Sequence, residues 1–217
     1  PLLLSDVGES SLLDPMRVSV DSALNEMKAK GMFTDASVYF RRMDDGIWFS
    51  INPNGIFDQQ LFSDVSLLIA YYKAADSHPG LLDQSFAVNG KTLNGNFKIS
   101  ELLIKLFKED NEDARKVLSE RVDKKVVSDL YNDLKLSHSS LTIVDLAKFL
   151  RLVYNSTYVA DNNLSELILK LMAENNHTEA IRNAFDPSVK LAGLDNDAMR
   201  NGVAEMQEMA IVYKDQN

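Results

Sequence analysis

The segment from Phe62 to Asp76 is the feature that most restricts how this chain can fold. It is long enough for a helix of about four turns, at about 3.6 residues per turn. Apolar residues fall on nearly every side of that helix: Val65, Leu67, Leu68, Ile69, Ala70, Tyr71 and Tyr72. Such a helix has no face to offer to water, so other elements must enclose it. We therefore predict that it lies at the centre of a domain.

Strand patterns occur on both sides of this helix. Two strands joined by a turn are predicted for residues 36–51, because Asp44-Asp45-Gly46 separates two apolar runs with a typical hairpin-turn sequence. Strand character returns after Pro187, at 189–192 and 209–213. The two ends of the chain are therefore expected to supply the β-structure.

The remaining segments have helical periodicity and capping residues. One helix is predicted before the first strand, from Asp14-Pro15 to Gly31, with Val18, Val20, Leu24 and Met27 roughly on one side. Further helices are predicted at 99–107, 111–122, 124–134, 143–154 and 164–172. This order predicts an α/β (α+β) fold in one domain, 1–217. Residues 1–60 and 186–217 would form an antiparallel sheet lobe, and residues 61–185 an inserted all-helical lobe.

Local runs in this order resemble the class A β-lactamases and the wider family of penicillin-recognising serine hydrolases. Residues 49–54 resemble the segment that leads to the family's nucleophile, and 69–75 the second half of its buried nucleophile helix. Glu109-Asp110-Asn111 is similar to the Ser-Asp-Asn loop. Residues 145–155 look like the helix beyond the Ω-loop, and 210–213 like a Gly-Ile-Val-Tyr strand. The resemblance covers roughly residues 16–213 and implies a β-lactamase-like fold.

Enzymes of this family carry nucleophile and base as Ser-x-x-Lys, a spacing that places both side chains on one face of a helix. Aligned on 69–73, the serine position falls on Leu61 and the lysine position on Asp64. No lysine anywhere in the chain has a serine three residues before it. Asp64 could serve as a base, but Leu61 has no proton for it to remove. The resemblance therefore implies the fold without the family's nucleophile.

Three further elements that the resemblance implies are also altered. Glu109 replaces the proton-relaying serine of Ser-Asp-Asn, while Asp110 and Asn111 remain as groove candidates, although both are favoured helix caps as well. Lys-Thr-Gly falls on Leu194-Asp195-Asn196, where an acidic residue would repel a carboxylate substrate. No Glu-x-x-Leu-Asn precedes the helix at Thr142, so the glutamate that activates the deacylating water has no counterpart. Four losses together indicate that selection for the reaction has been lost.

Composition and spacing argue against several other functions. The formal net charge of -9 disfavours binding to nucleic acid or to anionic lipid. The chain has no cysteine, and His78, His138 and His177 lack the i, i+4 spacing of a helical metal site. Gly90-Lys91-Thr92 lacks the earlier glycine of a phosphate loop and is predicted to be a turn. We expect no metal, no cofactor and no transmembrane segment, since no apolar run approaches the ~20 residues of a membrane span.

Three interpretations follow. The first is a catalytically inactive β-lactamase-like domain that acts as a binding or structural module. For it the resemblance implies an extracytoplasmic (periplasmic or cell-surface) location, with peptidoglycan or an envelope protein as partner. The second is a serine hydrolase of β-lactamase or D-Ala-D-Ala peptidase type with a non-standard nucleophile, Ser63 or Ser66, and an acid such as Asp64. The third is a helical interaction protein with a chance resemblance. This third interpretation would be distinguished from the other two by whether the 36–51 hairpin and the 189–213 strands share one sheet.

The two ends of the sequence raise a further expectation. In the family, one more strand and a C-terminal helix follow the Gly-Ile-Val-Tyr strand, and that last strand lies between the first hairpin strand and the strand containing Ile211. Here Asn217 follows soon after Tyr213, and Pro1 is not an initiator Met. Three alternatives follow: the native chain continues beyond Asn217, the two strands pair directly, or another chain donates a strand. We favour the first, because both ends look trimmed.

Overall fold

The computed structural model describes residues 9–56, 60–136, 141–155, 158–174, 179–200 and 202–213. Its helices are α1 (Asp14–Ala29), α2 (Gln60–Ser77), α3 (Ile99–Glu109), α4 (Glu112–Arg121), α5 (Lys124–Asp133), α6 (Ile143–Tyr154), α7 (Asn162–Ala173) and α8 (Glu179–Asn183). Its strands are β1 (Val38–Arg41), β2 (Trp48–Ile51), β3 (Ser85–Asn89), β4 (Asn94–Lys98), β5 (Lys190–Arg200) and β6 (Val203–Tyr213). Within these ranges, no helix combines the length and the apolar character needed to cross a bilayer.

The chain divides into two compact units. The smaller unit comprises Pro1–Phe57 and Ser137–Lys148, and the larger one comprises Asp58–Leu136 and Phe149–Asn217. This division groups β5 and β6 with the helices, whereas the lobes predicted from the sequence group them with the N-terminal hairpin.

Helix α2 is the centre of the larger unit, as its apolar pattern predicts. Leu68, Ile69 and Ala70 are completely buried, and the burial extends to every side of the helix. The elements packed against it are α3, α4, α5, α7 and β5. Enclosure by so many elements is what a helix with no polar face requires.

The smaller unit contains the N-terminal hairpin and α1. Strands β1 and β2 pair antiparallel, with Val38 opposite Ile51, and the turn between them contains Gly46 at a φ of 75°. That φ is strained for a residue with a side chain, which explains a glycine at this turn. Helix α1 ends before Gly31 as predicted, but it buries none of its residues, and Val18 is 59% exposed.

A hairpin of β3 and β4 lies inside the segment predicted to be all-helical, so that prediction is wrong. The signal was weak because only Val88 of the two strands is buried, and the alternation of apolar and polar residues is correspondingly faint. The predicted turn at Gly90-Lys91-Thr92 is confirmed, because it joins these two strands. A Cβ on Gly90 would lie 2.1 Å from Cγ of Asp113, so only glycine fits there.

Strands β5 and β6 form an antiparallel hairpin, with Lys190 opposite Tyr213 and Arg200 opposite Val203. Both are longer than the predicted 189–192 and 209–213. The described strands make three separate two-stranded sheets, so the predicted hydrogen-bonded sheet shared by the N- and C-terminal strands is not found among them. A short turn holds each hairpin together locally.

Candidate functional site

Leu61 and Asp64, the residues that the sequence resemblance assigns to the family's nucleophile and base positions, lie in the first turn and a half of α2. Leu61 is 2% exposed and belongs to the apolar core of the larger unit. Asp64, one turn later, is also buried, although it carries a carboxylate. The spacing of the family motif is therefore retained, with an aliphatic side chain at the first position and an acid at the second.

A guanidinium from α4 binds the Asp64 carboxylate. Arg115 Nε lies 3.0 Å from Oδ1 of Asp64, and Nη2 lies 3.1 Å from Oδ2, so the pair is bidentate. The side chain of Asp64 is 10% exposed and that of Arg115 is 14% exposed. Sequence analysis did not single out Arg115. Its partner is 51 positions away, and an arginine on a charged helix gives no local sign of facing inward.

Two more carboxylates contact the same guanidinium, those of Asp110 and Glu112. We call Asp64, Arg115, Asp110 and Glu112 the Asp64 cluster. One cation thus faces three acids, and the cluster carries an excess of two negative charges when all are ionised. Both outer carboxylates are largely exposed, so solvent screens their share of the interaction.

Burial determines the direction of the pKa shift of Asp64 but not that of Arg115. It raises the pKa of Asp64 to about 6, against the hydrogen bonds and charge of Arg115, which act to lower it. For Arg115, burial acts to lower the pKa, but the carboxylates of Asp64 and Asp110 outweigh it, and the pKa lies above its ordinary value. At neutral pH the pair is therefore ionic, with a carboxylate whose charge is costly to bury.

Asn111 and Asp110 have structural partners at the turn between α3 and α4. Asn111 is the N-cap of α4, its Oδ1 accepting a hydrogen bond from the Ala114 N–H at 3.1 Å, and its Nδ2 donates to Oγ1 of Thr92 at 3.0 Å. The capping role predicted for Asn111 is confirmed. For Asp110 it is wrong, because this residue ends α3 in the left-handed region, at a φ of 46°, and pairs with Arg115.

The neighbouring Asp113 secures the β3–β4 turn against α4. Its Oδ2 accepts hydrogen bonds from the N–H of Thr92 at 2.6 Å, from Oγ1 of Thr92 at 2.7 Å and from the N–H of Leu93 at 3.0 Å. These bonds, led by that of the Thr92 hydroxyl, hold the pKa of Asp113 far below its usual range. The carboxylates of this turn are thus engaged within the protein.

The position of Lys-Thr-Gly lies on β5. Leu194 is buried and stands opposite Met209, while Asp195 stands opposite Glu208 and Asn196 opposite Gln207. The strand's own lysine, Lys190, is exposed at its first residue. The backbone strand of the family motif is therefore present without a cation in the motif.

The position before the Ω-loop helix belongs to the smaller unit. Thr142 N–H and Oγ1 donate to Oδ2 of Asp145 at 3.1 and 3.0 Å, and the Asp145 N–H donates back to Oγ1 of Thr142 at 3.3 Å. This reciprocal cap begins α6 at the predicted residue. Residues 137–140, just before it, lie outside the described ranges.

The two serines near the nucleophile position line a small cavity of about 260 Å³. Ser66 Oγ is buried and donates to the carbonyl oxygen of Phe62 at 2.6 Å, so it is held inside the helix. Ser63 is exposed, and the same cavity is lined by Lys124 and Tyr131. The tertiary structure thus places a lysine in the lining of the same cavity as a serine that has no lysine near it in the sequence.

Metal ligands do not converge in the described part of the chain, where no group of three or more His, Cys, Asp or Glu residues is placed to hold an ion. His78 is exposed, with Nδ1 3.2 Å from the carbonyl oxygen of Ala74. His138 and His177 lie outside the described residues.

The comparisons with known proteins concern the fold of the chain as a whole. A family model described as the beta-lactamase enzyme family matches residues 19–216. A beta-lactamase from Chitinophaga pinensis DSM 2588 superposes with a TM-score of 0.76 at 16% identity, covering 89% of this chain and 85% of that one. One from Francisella tularensis gives 0.75 at 14% identity, with coverages of 89% and 83%. The carbapenemase VCC-1 from Vibrio cholerae N14-02106 gives 0.71 at 17%, with coverages of 83% and 80%.

These matches confirm the predicted α/β, β-lactamase-like fold class. They also exclude a chance resemblance, although the described strands of the two hairpins are not hydrogen-bonded to each other. A comparison with curated protein sequences finds no significant match.

Proposed function

The chain belongs to the beta-lactamase enzyme family, and we propose that it is a member without acyl-serine chemistry that acts as a binding or structural domain. Four positions support this. Leu61 offers no hydroxyl, Glu109 no relaying serine, Leu194-Asp195-Asn196 no cation, and no Glu-x-x-Leu-Asn precedes Thr142. Parts of a catalytic unit act together, so the loss of several removes more than the loss of one.

The ion pair between Asp64 and Arg115 is the observation that carries the proposal. A general base needs a proton donor, here a nucleophilic hydroxyl, within hydrogen-bond reach. Both oxygens of Asp64 accept hydrogen bonds from Arg115, and the residue one turn before it is an aliphatic core side chain. The charge in this part of the groove is also negative, which disfavours a substrate carrying a carboxylate.

The direct test is acylation. The purified protein is incubated for several hours with benzylpenicillin and with a chromogenic cephalosporin, beside an active class A β-lactamase as the positive control. We expect an unchanged intact mass and no colour change above that of buffer. A covalent adduct of the penicillin mass would overturn the proposal.

A second candidate function is a serine hydrolase that uses Ser63. It is favoured by one observation, the presence of Lys124 and Tyr131 around the cavity that Ser63 lines. In that reaction the Ser63 oxygen would attack an acyl carbon as its proton passes to the neutral amine of Lys124. The bond from that carbon to the leaving group would then break, with the proton passing from Lys124 to the leaving group, and water would release the acyl group from Ser63. Labelling by a fluorophosphonate that is abolished in Ser63→Ala, and retained in Ser119→Ala as the matched cavity control, would establish it. Absence of labelling would remove it.

The family resemblance also supports a place outside the cytoplasm, with peptidoglycan or an envelope protein as the partner. Co-sedimentation of the purified protein with insoluble peptidoglycan tests the first partner. Serum albumin, another acidic protein, measures non-specific retention. Retention at the albumin level would leave an envelope protein as the partner to be sought by crosslinking in intact cells.

A further inference from the structure

A cavity of about 650 Å³ lies beside the second half of α2. Its walls come from α2, from the corner between α4 and α5, from β3, and from Tyr158. It shares no residue with the Asp64 cluster. Lys73, which lines it, follows Asp64 by nine positions on α2, or about 14 Å along the axis at ~1.5 Å per residue. The cavity is therefore a separate site of the larger unit.

The size and apolar surface of this cavity suit a small organic molecule. Binding sites for such molecules measure about 300–1,000 Å³ and combine apolar walls with a few polar groups. Here Ala70, Ala74 and Ile99 supply aliphatic surface, while Phe86 and Tyr158 supply aromatic surface. A compact apolar body would be well accommodated.

The acids of the cavity already have partners within the protein. Asp133 accepts the hydrogen bond of the Tyr158 hydroxyl, and Asp129 binds the Lys125 ammonium at 2.5 Å. Asp123 caps α5 by accepting from the Lys125 N–H at 2.8 Å. These carboxylates are therefore not in need of a cationic ligand.

One of the two cations is engaged as well. Lys73 Nζ donates to the carbonyl oxygen of Tyr158 at 2.6 Å and lies 3.5 Å from Oδ2 of Asp76. The guanidinium of Arg121 differs. Its Cζ lies 5.6 Å from the centroid of the Phe86 ring, and within the described ranges it has no ion pair and no hydrogen bond. A guanidinium over an aromatic ring keeps its N–H edge for a planar anion.

We therefore propose that the cavity binds a small molecule with a carboxylate group and a compact apolar body. Arg121 holds the carboxylate group, and the apolar body lies against Phe86 and Tyr158. The binding is independent of whether the family's groove is active, because the two sites share no residue. Carboxylate fits better than a spherical anion, because it can accept two parallel N–H bonds from one guanidinium.

Three probes of one shape and different charge test the proposal: 2-naphthoate, neutral 2-naphthamide and cationic 2-naphthamidine. Each is titrated into ¹⁵N-labelled protein and followed by amide chemical shifts. We expect naphthoate to bind with a Kd of about 1 mM, as suits a probe so small, and to shift amides of Phe86, Arg121 and Tyr158. Naphthamide should bind at least tenfold more weakly.

Two variants and a control locate the anchor. Arg121→Gln keeps an amide-bearing stem without the charge and should weaken naphthoate at least tenfold. Ala74→Met should weaken it by partly filling the cavity. Lys116→Gln removes an exposed cation of the same helix that does not line the cavity, and should change the Kd less than twofold. Equal binding of naphthoate and naphthamide, tighter binding of the amidine, or no shift from naphthoate up to ~20 times the expected Kd would each overturn the proposal.

Discussion

The two ends of α2 differ in how the arginine beside each of them is paired. At the first turns, the guanidinium of Arg115 forms ion pairs with Asp64, Asp110 and Glu112. Along the second half, a cavity of about 650 Å³ is left open, and the guanidinium of Arg121 lies over the Phe86 ring without an ion pair to any residue in the described ranges. One helix thus has a filled polar site near its start and an open cavity with both apolar and polar walls further on.

The difference shows which end of α2 has space for a ligand. The resemblance to the family assigns the nucleophile and base positions to the start of α2. In this chain the start of α2 is filled by the protein's own side chains. The open cavity and the Arg121 guanidinium lie beside its second half. A buried ion pair adds little net stability, yet breaking one is expensive, so the filled site resists change and the open site tolerates it.

The largest effect is expected from Arg115→Ala, which leaves the Asp64 carboxylate buried without a cation. We expect a loss of about 3 kcal/mol in the free energy of unfolding by urea at pH 7, near the lower end of such losses because Asp64 can take up a proton. The exposed pair of Lys125 and Asp129 provides the control, and Lys125→Ala should cost less than about 0.5 kcal/mol. The double variant Asp64→Leu with Arg115→Met should recover most of the loss. A single variant within about 1 kcal/mol of the parent would show that the cluster is not buried as described.

The pH dependence of stability isolates Asp64. Its pKa is about 6 in the folded protein and near 3.8 when unfolded, so the folded state holds the proton more tightly. Its contribution is therefore fully present below pH ~4 and is lost as the pH rises through 6, by about 3 kcal/mol for a shift of about two units. We expect the difference in unfolding free energy between parent and Asp64→Asn to change by that amount between pH 4 and pH 7, with the parent losing. A flat difference would mean that Arg115 offsets the burial cost.

A pair of matched substitutions compares the space at the two ends. Ala114, at the start of α4, is completely buried, whereas Ala74 lines the open cavity. Alanine and methionine have similar helix propensities, so Ala→Met mainly reports the room available. We expect Ala114→Met to cost about 1–3 kcal/mol by overpacking and Ala74→Met to change stability by less than about 0.5 kcal/mol. Thermal unfolding of both measures this, and equal costs would contradict the open cavity.

The smallest effect, a change in hydrolytic activity, is expected from restoring the Ser-x-x-Lys motif at the start of α2. Leu61→Ser with Asp64→Lys recreates Ser-x-x-Lys, but Arg115 then meets a second cation, and the strand motif at Leu194-Asp195-Asn196 still lacks its lysine. We expect no hydrolysis of a chromogenic cephalosporin above that of the parent. Turnover comparable with an ordinary β-lactamase would mean that the rest of the site is intact. A circular dichroism spectrum like that of the parent is the control for folding.

Much of the architecture could be predicted from local pattern. The apolar run at 62–76 predicted the central helix, and the residues around Thr142 predicted where α6 begins. The β3–β4 hairpin was missed because its strands bury little beyond Val88, so the period of two that marks a strand is faint. The length of β5 and β6 was underestimated since polar residues such as Asp195 and Asp197 interrupt their apolar alternation.

The sequence by itself determined whatever depends on neighbours along the chain. The absence of serine three residues before any lysine, the cap at Asn111 and the turn at Gly90 are of this kind. Only the tertiary structure decided which cation binds Asp64 and which lysine lines the cavity of Ser63. Those partners come from different helices, and contacts between helices depend on how whole elements pack, which no local pattern of residues records.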